Sequence, residues 1–296
     1  MIGFDIGGTK CAVTVGEEKD GGLIVSDKTV FATDLTLSPY EIIDRMCAAA
    51  GRMTADCSKI GISCGGPLDS RNGVILSPPN LPGWDNVEIV RYVEQKTGGR
   101  ATLQNDANAS ALAEWRYGAG KGSRNMIFLT FGTGLGAGLI LDGKLYVGTC
   151  DMAGEVGHIA LSPFGPVGYG KAGSFEGFCS GGGLAGLGRL KATEAFQAGK
   201  KVSYCETAAD LERVTAKKIA ECADKGWAAA PEIYTICGET LGRGLAVLVD
   251  ILNPEKIILG SIYARSGHLL KDSMQRTLEK EALPASFAAV EILPSA

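Results

Sequence analysis

The sequence predicts an α/β protein built from two similar domains. Strand-like and helical segments alternate along its 296 residues without a long polar linker, as in α/β folds. A strand, a glycine turn that contains threonine, and a second strand occur together twice, once at the start of each half, which indicates a duplicated domain. The chain is long enough for two domains of ordinary size.

The first predicted hairpin opens the chain. The apolar runs Ile2–Phe4 and Cys11–Val15 flank the glycine turn Asp5-Ile6-Gly7-Gly8-Thr9-Lys10, as in a β-hairpin. Farther on, Ser38-Pro39-Tyr40-Glu41 has the capping-box spacing, with proline at the first helical position. This pattern predicts a helix over Ile42–Met53.

A short strand at Ala101–Gln104 is predicted to lead into an alanine-rich helix at Ala107–Tyr117. Asp106 lies where the strand gives way to the helix, and two interpretations of it stay open. It is the N-cap of the helix, as aspartate often is, or it is a base that takes the proton of a substrate hydroxyl group.

The second predicted hairpin opens the second half. Asn125–Phe131 reads as a strand, Gly132-Thr133-Gly134 begins the turn, and Leu139–Leu141 is the returning strand. Asp142-Gly143 then turns into a further strand at Lys144–Val147.

Two helices, at Ala208–Cys222 and Pro231–Leu252, and a strand at Lys256–Leu259 are predicted near the end of the chain. A loose segment at 118–123, rich in Gly, Ser and Lys, separates the halves. We therefore predict an N-terminal α/β domain over 1–118, with the C-terminal segment as a candidate completion, and a C-terminal α/β domain over 119–296.

Composition narrows the class of protein. A net charge of −4 and a pI of about 5.4 argue against a nucleic-acid-binding surface. The nine cysteines include no Cys-x-x-Cys pair, as expected for reduced, mostly buried thiols in a cytosolic protein. The first residues of the sequence include an acidic residue at position 5 and no basic segment, and the apolar runs of the sequence are short. We expect a cytoplasmic protein without a signal peptide or a membrane segment.

The glycine turns are candidate phosphate sites. Gly132-x-Gly134-x-x-Ala137 matches a dinucleotide fingerprint superficially, but it leads into a strand rather than a helix. A Walker-type phosphate loop is absent from the sequence. Successive backbone N–H groups in a tight turn still bind anions, and threonine adds a donor. For either hairpin alone, the alternative is that the glycines only form a turn and bind no ligand. The presence of two such hairpins favours phosphate binding.

Polar residues follow the second hairpin. Glu155 and His158 stand three residues apart in Gly154-Glu155-Val156-Gly157-His158, and Glu176 precedes a glycine cluster at 181–183. A lone histidine is more often structural than functional. Side chains that donate and accept hydrogen bonds are nevertheless what a sugar ring requires.

With these motifs in order, the chain resembles the ROK family of sugar kinases, in the superfamily of actin, hexokinase and Hsp70. Asp5-Ile6-Gly7-Gly8-Thr9-Lys10 and Gly132-Thr133-Gly134 look like its two phosphate motifs. Gly65-Gly66-Pro67 and Pro79-Asn80-Leu81-Pro82-Gly83-Trp84 resemble its sugar-side loops, and Asn105-Asp106 its catalytic pair.

Three further motifs complete the resemblance. Glu155-x-Gly157-His158 is similar to the family's E-x-G-H signature, and Glu176 to a further sugar-binding glutamate. Gly260-Ser261 falls where the family usually has a Gly-Gly pair beside adenosine.

The resemblance implies two RNase-H-like domains of the actin/hexokinase type, with a cleft between them that closes over a hexose. It implies Asp106 as the catalytic base and ATP with Mg²⁺ as cofactors, the metal near Asp5. The residues implied to bind the sugar are Gly66, Asn80, Asn105, Asp106, Glu155, His158 and Glu176. The residues implied to bind the nucleotide are Asp5, Gly7, Gly8, Thr9, Lys10, Gly132, Thr133, Gly134 and Gly260.

One departure concerns a structural zinc ion. The family commonly holds zinc with three cysteines and the histidine of E-x-G-H, and this chain has Val167, Tyr169 and Ser174 instead of cysteines. We therefore expect no zinc. We expect the loop to be held by packing of Val167, Tyr169 and Phe175, with His158 free for the sugar or a carbonyl.

Glucose is the expected substrate, by similarity to family glucokinases. N-acetylmannosamine, N-acetylglucosamine and fructose stay open as alternatives, as does a sugar sensor without catalysis. Family repressors add an N-terminal helix-turn-helix, and we expect none here because the first phosphate motif begins at residue 5. The expected partners are a hexose and further copies of the chain, as a dimer or tetramer, with no nucleic acid and no membrane.

Overall fold

The computed structural model describes residues 1–227 and 229–296. They form two compact units, and each is described by itself. The first unit comprises Met1–Ala113 and Leu145–Ala153; the second comprises Glu114–Lys144 and Gly154–Ala296. The domain boundary expected after residue 118 stays a prediction.

The first unit is built on a five-stranded sheet with the strand order β3-β2-β1-β4-β7. These strands are β1 Ile2–Ile6, β2 Lys10–Lys19, β3 Gly22–Ala32, β4 Lys59–Cys64 and β7 Arg100–Asn105. Strands β1 and β3 both run antiparallel to β2, which lies between them, whereas β1, β4 and β7 are mutually parallel. A short antiparallel pair, β5 Leu68–Asp69 and β6 Val74–Ile75, lies outside this sheet.

Two helices, α1 Pro39–Met53 and α2 Ile89–Thr97, belong to the first unit, and α3 Asp106–Tyr117 begins in it. The predicted capping box is present, because Ser38 Oγ accepts from the Glu41 N–H and the Glu41 carboxylate accepts from the Ser38 N–H. Apolar residues of the parallel strands and of α1 and α2 form one core, which includes the fully buried Trp84.

The second sheet repeats this arrangement, with the strand order β10-β9-β8-β13-β14. The strands are β8 Met126–Leu129, β9 Ala137–Leu141, β10 Lys144–Tyr146, β13 Lys256–Leu259 and β14 Glu291–Pro294. Here too a central hairpin, β8 and β9, is followed by parallel strands on the side of β8. The equivalent strand order in the two sheets supports the predicted duplication of the hairpin. The C-terminal segment, a candidate completion of the first domain, forms β14 in the second sheet instead.

The remaining elements belong to the second unit. They are a two-stranded hairpin, β11 Val167–Gly168 and β12 Lys171–Ala172, and the helices α4 Phe175–Phe178, α5 Gly181–Gln197, α6 Ala216–Asp224, α7 Ala230–Leu252, α8 Ile262–Glu281 and α9 Pro284–Ala289. Short 3-10 helices cover Val156–His158 and Ala208–Arg213. Small residues on α7 allow α8 to pack closely, since a side chain at Gly242 would meet the Met274 carbonyl.

Most predicted elements are confirmed, and with them the α/β fold with two sheet-based domains. The single helix expected at Ala208–Cys222 is wrong. A 3-10 helix ends at Arg213, and α6 starts afresh because Thr215 accepts a hydrogen bond from the Lys218 N–H as an N-cap. None of the helices in the described ranges has the length and apolar character that crossing a bilayer requires.

Candidate active site

Three parallel strands of the first sheet end in register at one edge. Ile6 of β1 pairs with Cys64 of β4, and Cys64 pairs with Asn105 of β7. From these positions the chain continues into the first glycine turn, the Gly65-Gly66-Pro67 turn and α3. Residues of three predicted motifs therefore meet at this carboxyl edge, which is where open α/β sheets bind ligands.

Gly8 in the first glycine turn is required by close approach of the backbone. A Cβ atom at Gly8 would collide with the carbonyl of Asn80 and lie 2.9 Å from the Asn80 Cβ. The turn itself is closed by the Gly7 N–H, which donates to the Lys10 carbonyl at 3.1 Å. Thr33 supports it from β3's end, donating from Oγ1 to the Gly7 carbonyl at 2.6 Å. The phosphate-motif turn and the Asn80 loop are thus packed together.

Asn105, rather than Asp106, is the N-cap of α3. Asn105 Oδ1 accepts from the Ala107 N–H at 2.9 Å and from the Asn108 N–H at 3.4 Å, as an N-cap does. Asp106 is the first residue of α3 and its side chain is exposed, with Oδ1 accepting from the Ala107 N–H at 2.8 Å. Because Asn105 caps the helix, Asp106 is not needed as the N-cap, and its Oδ2 atom is not used in the bond to the Ala107 N–H. Gly66 lies beside Asn105: a Cβ atom built on Gly66 would be 3.5 Å from the Asn105 Nδ2 atom.

The pKa values of Asp106 and Asp5 are both raised above the ordinary value of an aspartate. Although Asp106 reaches the surface, the protein atoms around it displace part of its solvent shell, and this desolvation is the main cause that raises its pKa. The negative charge of Asp5 raises that pKa further. The Ala107 N–H opposes this by stabilising the charged form. Desolvation also raises the pKa of Asp5, while the positive charges of Lys10 and Lys28 lower it. A raised pKa at a carboxylate on a sheet edge is typical of a functional site.

In the second unit, the Glu155–His158 motif packs on the second hairpin. Gly154 and Gly157 allow this contact, because Cβ atoms there would collide with the carbonyls of Ala137 and Leu135. The Gly154 carbonyl accepts from the Ala137 N–H at 2.7 Å. The 3-10 helix Val156–His158 leaves the His158 side chain exposed, with Lys171 Nζ donating to its carbonyl at 2.8 Å.

Glu176 joins the same group of residues. Its carboxylate Oε2 accepts from the Leu135 N–H at 2.9 Å, in the turn of the second hairpin. Its Cβ lies 3.2 Å from the place that a Cβ on Gly157 would take. The backbone of the second glycine hairpin therefore contacts both the Glu155–His158 segment and the Glu176 carboxylate, so these candidate residues lie together.

The loop without cysteines forms a hairpin that does not fit zinc. Tyr169 and Gly170, with φ of 44° and 75°, form its turn, and the side chains of Val167 and Tyr169 are 64% and 73% exposed. Val167 and Tyr169 are therefore not packed into a core as expected, although the Tyr169 ring contacts the His158 ring edge-on with their centroids 6.3 Å apart. Phe175 is fully buried as expected. Val167 has no donor atom, and neutral hydroxyls are weak zinc ligands. Across the described residues, no three His, Cys, Asp or Glu side chains gather into a group that could hold a metal.

Hydrogen bonds of Ser174 and Gly173 stabilise the loop that lacks the cysteines. Ser174 is fully buried, accepts from the Gly177 N–H at 3.1 Å as the N-cap of α4, and donates to the Gly168 carbonyl at 3.4 Å. The Gly173 carbonyl accepts from the Leu161 and Ser162 N–H groups. Ser174 thus fixes the start of the helix that carries Glu176.

The second unit contains a cavity of about 380 Å³ that continues from the Gly132-Thr133 turn. Its lining includes two basic side chains, Lys217 and Arg265, and no acidic one among the described residues. The full lining is Gly132, Thr133, Gly181, Gly182, Ala185, Val214, Thr215, Ala216, Lys217, Tyr234, Ser261, Ile262, Arg265 and Ser266.

Most of this cavity escaped the sequence-based prediction. The glycine cluster at 181–183 suggests no ligand by its sequence alone, and the lining residues of α6, α7 and α8 belong to no recognisable motif. Gly260 does not line the cavity; it packs against the Phe128 ring and donates from its N–H to the Leu129 carbonyl at 2.9 Å. It thereby fixes the position of the next residue, Ser261, at the wall of the cavity.

The chain is similar to known proteins over nearly its whole length. The sequence profile of the ROK family matches residues 1–295. The chain is 31% identical over 289 residues to a glucokinase of Halalkalibacterium halodurans, covering 96% of this chain and 86% of that protein. It is 28% identical over 270 residues to an N-acetylmannosamine kinase of Salmonella typhi, covering 90% and 85%. A solved ROK family glucokinase from Streptomyces griseus, in complex with glucose and AMPPNP, is 30% identical, with a TM-score of 0.78 over 100% of this chain and 94% of that one.

Proposed function

This chain belongs to the ROK family, and we propose that it is an ATP-dependent hexose kinase that converts glucose to glucose 6-phosphate. Similarity to glucokinases over nearly the whole chain supports the sugar kinase activity. The observation that carries the assignment is the pair Asn105-Asp106: the asparagine caps α3, so the exposed carboxylate at the sheet edge is available as a base.

Asp106 takes the proton of the attacking hydroxyl group. The hydroxyl oxygen forms a bond to the γ-phosphorus while the bond from that phosphorus to the bridging oxygen breaks, and ADP leaves. The raised pKa of Asp106 suits this task, because a base whose pKa lies closer to the working pH accepts a proton more readily. It must still be ionised when the sugar binds.

The phosphates are assigned to the glycine turns and to the cavity of the second unit. Backbone N–H groups of the turns, the Thr133 hydroxyl and the positive charges of Lys217 and Arg265 all favour an anion. The apolar side chains of Ala185, Val214 and Ile262 in the same lining suit a base or ribose. This mixture favours a nucleotide as the phosphoryl donor.

The site also suits Mg²⁺ at Asp5. An exposed carboxylate next to a turn that binds phosphate is the hard oxygen donor that this ion prefers. When bound, Mg²⁺ neutralises charge on the phosphates. In this proposal Asp5 holds the ion directly or through its waters, and Lys10 lies close enough to moderate the charge of Asp5.

The sugar is assigned to Gly66, Asn80, Asn105, Glu155, His158 and Glu176. Carboxylate, amide and imidazole groups together donate to and accept from ring hydroxyls. N-acetylmannosamine is the second candidate, because a kinase for it is among the similar proteins. A cytoplasmic location, a dimer or tetramer and the lack of zinc stay predictions.

A coupled assay of ADP release over a dozen hexoses tests the proposal. We expect the highest kcat/KM with glucose, and an Asp106→Asn variant that binds glucose but releases little ADP. A higher kcat/KM with N-acetylmannosamine would replace glucose by that sugar. Glucose binding without any ADP release from the wild-type protein would identify a sensor in place of an enzyme.

A further inference from the structure

Ser261 has a backbone conformation that suits glycine. It lies between β13 and α8 with φ of 52° and ψ of −98°. Residues with a Cβ rarely adopt positive φ, and such conformations persist where the surrounding structure or a function requires them. Glycine would fit here without strain. The presence of serine therefore calls for an explanation.

Helix capping does not provide the explanation. Serine at the start of a helix normally accepts a hydrogen bond from one of the first backbone N–H groups. The Ser261 side chain makes no such bond to α8. Its Oγ instead accepts from the Arg265 guanidinium at 3.3 Å. A hydroxyl group that accepts one bond still has its hydrogen to donate.

The hydroxyl group lies at the wall of the cavity in the second unit, beside the second glycine turn. Ser261 Oγ is 3.5 Å from the place that a Cβ on Gly132 would take. Gly132, Thr133, Lys217 and Arg265 line the same cavity, in which the described side chains include no carboxylate. A hydroxyl donor that contacts Arg265, in a cavity that Lys217 also lines, favours an anionic oxygen as acceptor.

We propose that the Ser261 hydroxyl group donates a hydrogen bond to a phosphate oxygen of the bound nucleotide. Arg265 keeps the hydroxyl oriented by donating to its oxygen, and adds positive charge beside the phosphate. The inference rests on the proposed function for the nucleotide alone, and it is independent of which hexose is phosphorylated.

Two substitutions separate the hydroxyl group from the backbone conformation. Ser261→Ala removes the hydroxyl and keeps a Cβ at positive φ, whereas Ser261→Gly removes both. Calorimetric titration with MgADP should show both variants weakened about tenfold or more, the size expected for a lost bond to a charged group. Affinity for adenosine, which lacks phosphate, and KM for the hexose should not change. Ser261→Gly should unfold at a higher temperature than Ser261→Ala, since it relieves strain.

Ser26→Ala is the matched control, because Ser26 lies on β3 of the first unit and donates only to the Val15 carbonyl in an exposed position. It should leave the affinities for MgADP and adenosine and the KM for the hexose unchanged. Unchanged MgADP affinity in both Ser261 variants would overturn the proposal, as would an equal loss of adenosine affinity or a wild-type protein that does not bind MgADP. Wild-type protein that binds MgADP but phosphorylates no hexose would refute the proposed function while leaving this comparison valid.

Discussion

The Glu176 carboxylate accepts a hydrogen bond from the Leu135 backbone N–H at 2.9 Å, so a residue implied to bind the sugar is attached to the turn implied to bind phosphate. Each oxygen of a carboxylate accepts more than one hydrogen bond. Glu176 is therefore able to contact a sugar hydroxyl while it holds the second glycine turn. Glu155 belongs to the same group of residues, but its neighbours Gly154 and Gly157 make the contacts with that turn.

This difference predicts different kinetic effects for the two glutamates. Glu155→Ala should raise KM for the hexose much more than KM for ATP, because the sugar contact is lost while the contacts of Gly154 and Gly157 with the turn remain. Glu176→Ala should raise both, because the turn at Leu135 loses its support. Initial rates measured over both substrate concentrations provide the test. A selective effect of Glu176→Ala on the hexose would show that the turn keeps its shape without the carboxylate.

Asp106→Asn should lower kcat by roughly 10² to 10⁴, which corresponds to about 3 to 5 kcal/mol of barrier. Asparagine keeps the shape of the side chain but cannot take a proton. Hexose affinity, measured by titration calorimetry, should survive in large part. Asn105→Ala is a useful contrast, because losing the cap of α3 should cost about 1 kcal/mol of unfolding free energy. An Asp106→Asn enzyme with more than about half of wild-type kcat would remove Asp106 from the mechanism.

The pH dependence follows from the raised pKa of Asp106, caused first by desolvation and then by the charge of Asp5. The base works only when ionised, so kcat should fall as the pH drops through this pKa, at a higher pH than for an ordinary aspartate. Asp5→Asn removes the like charge and should move the acid limb to lower pH, whatever its effect on maximal rate. An unmoved limb would assign the profile to another group.

The same raised pKa has a consequence for stability. A carboxyl group with a higher pKa in the folded state favours folding below its unfolded pKa, and this benefit is lost as the pH rises through the folded pKa. Asp106→Asn should therefore be more stable than the wild type at neutral pH, with the gap closing in acid. Thermal unfolding of both proteins at a series of pH values would reveal it. A gap that widens in acid would contradict the assigned direction.

Gly8→Ala should damage both substrate sites of the first unit. The new Cβ would collide with the Asn80 carbonyl, which is rigid backbone, so the turn or the Asn80 loop must move. We expect kcat/KM to fall by at least about tenfold, with changes in KM for ATP and for the hexose. Gly51→Ala in α1 is the matched control, since nothing lies within 4 Å of its Cβ position and alanine favours helices. It should be as active as the wild type.

Purified protein without a His-tag should contain no stoichiometric zinc, and chelators should leave its unfolding temperature unchanged. Ser174→Ala should lower stability by about 1 kcal/mol, because the buried hydroxyl caps α4 and also donates to Gly168. It should raise KM for the hexose as α4 shifts Glu176. Elemental analysis showing about one zinc per chain would mean that other residues supply ligands.

The sequence predicted those elements whose local signals are strong. The capping box at Ser38, the two glycine hairpins and the strand before α3 all depend on contacts between near neighbours in the chain. Such signals are complete within a few residues, so one sequence is enough to recognise them.

Other features depend on contacts that no local pattern encodes. Asp106 is an acceptable N-cap by composition, and only the positions of the Ala107 and Asn108 N–H groups show that Asn105 has that role. Tyr169 is apolar enough for a core, yet its positive φ places it in a hairpin turn at the surface. The cavity beside Gly132 and Thr133 is lined largely by separate helices, α5 to α8, whose positions are set by tertiary packing.

The path of the chain between the two units limits how the protein can be dissected. The chain passes from one unit to the other at three points, 113/114, 144/145 and 153/154. A single cut therefore cannot release either unit as one continuous polypeptide, and a fragment ending near residue 118 would lack the segment Leu145–Ala153, whose Asp151 binds Ser70 through two hydrogen bonds. Fragment complementation, circular permutation or domain exchange with a relative would have to carry this short segment along with the first unit. Without it, the first unit would lose both hydrogen bonds between Asp151 and Ser70.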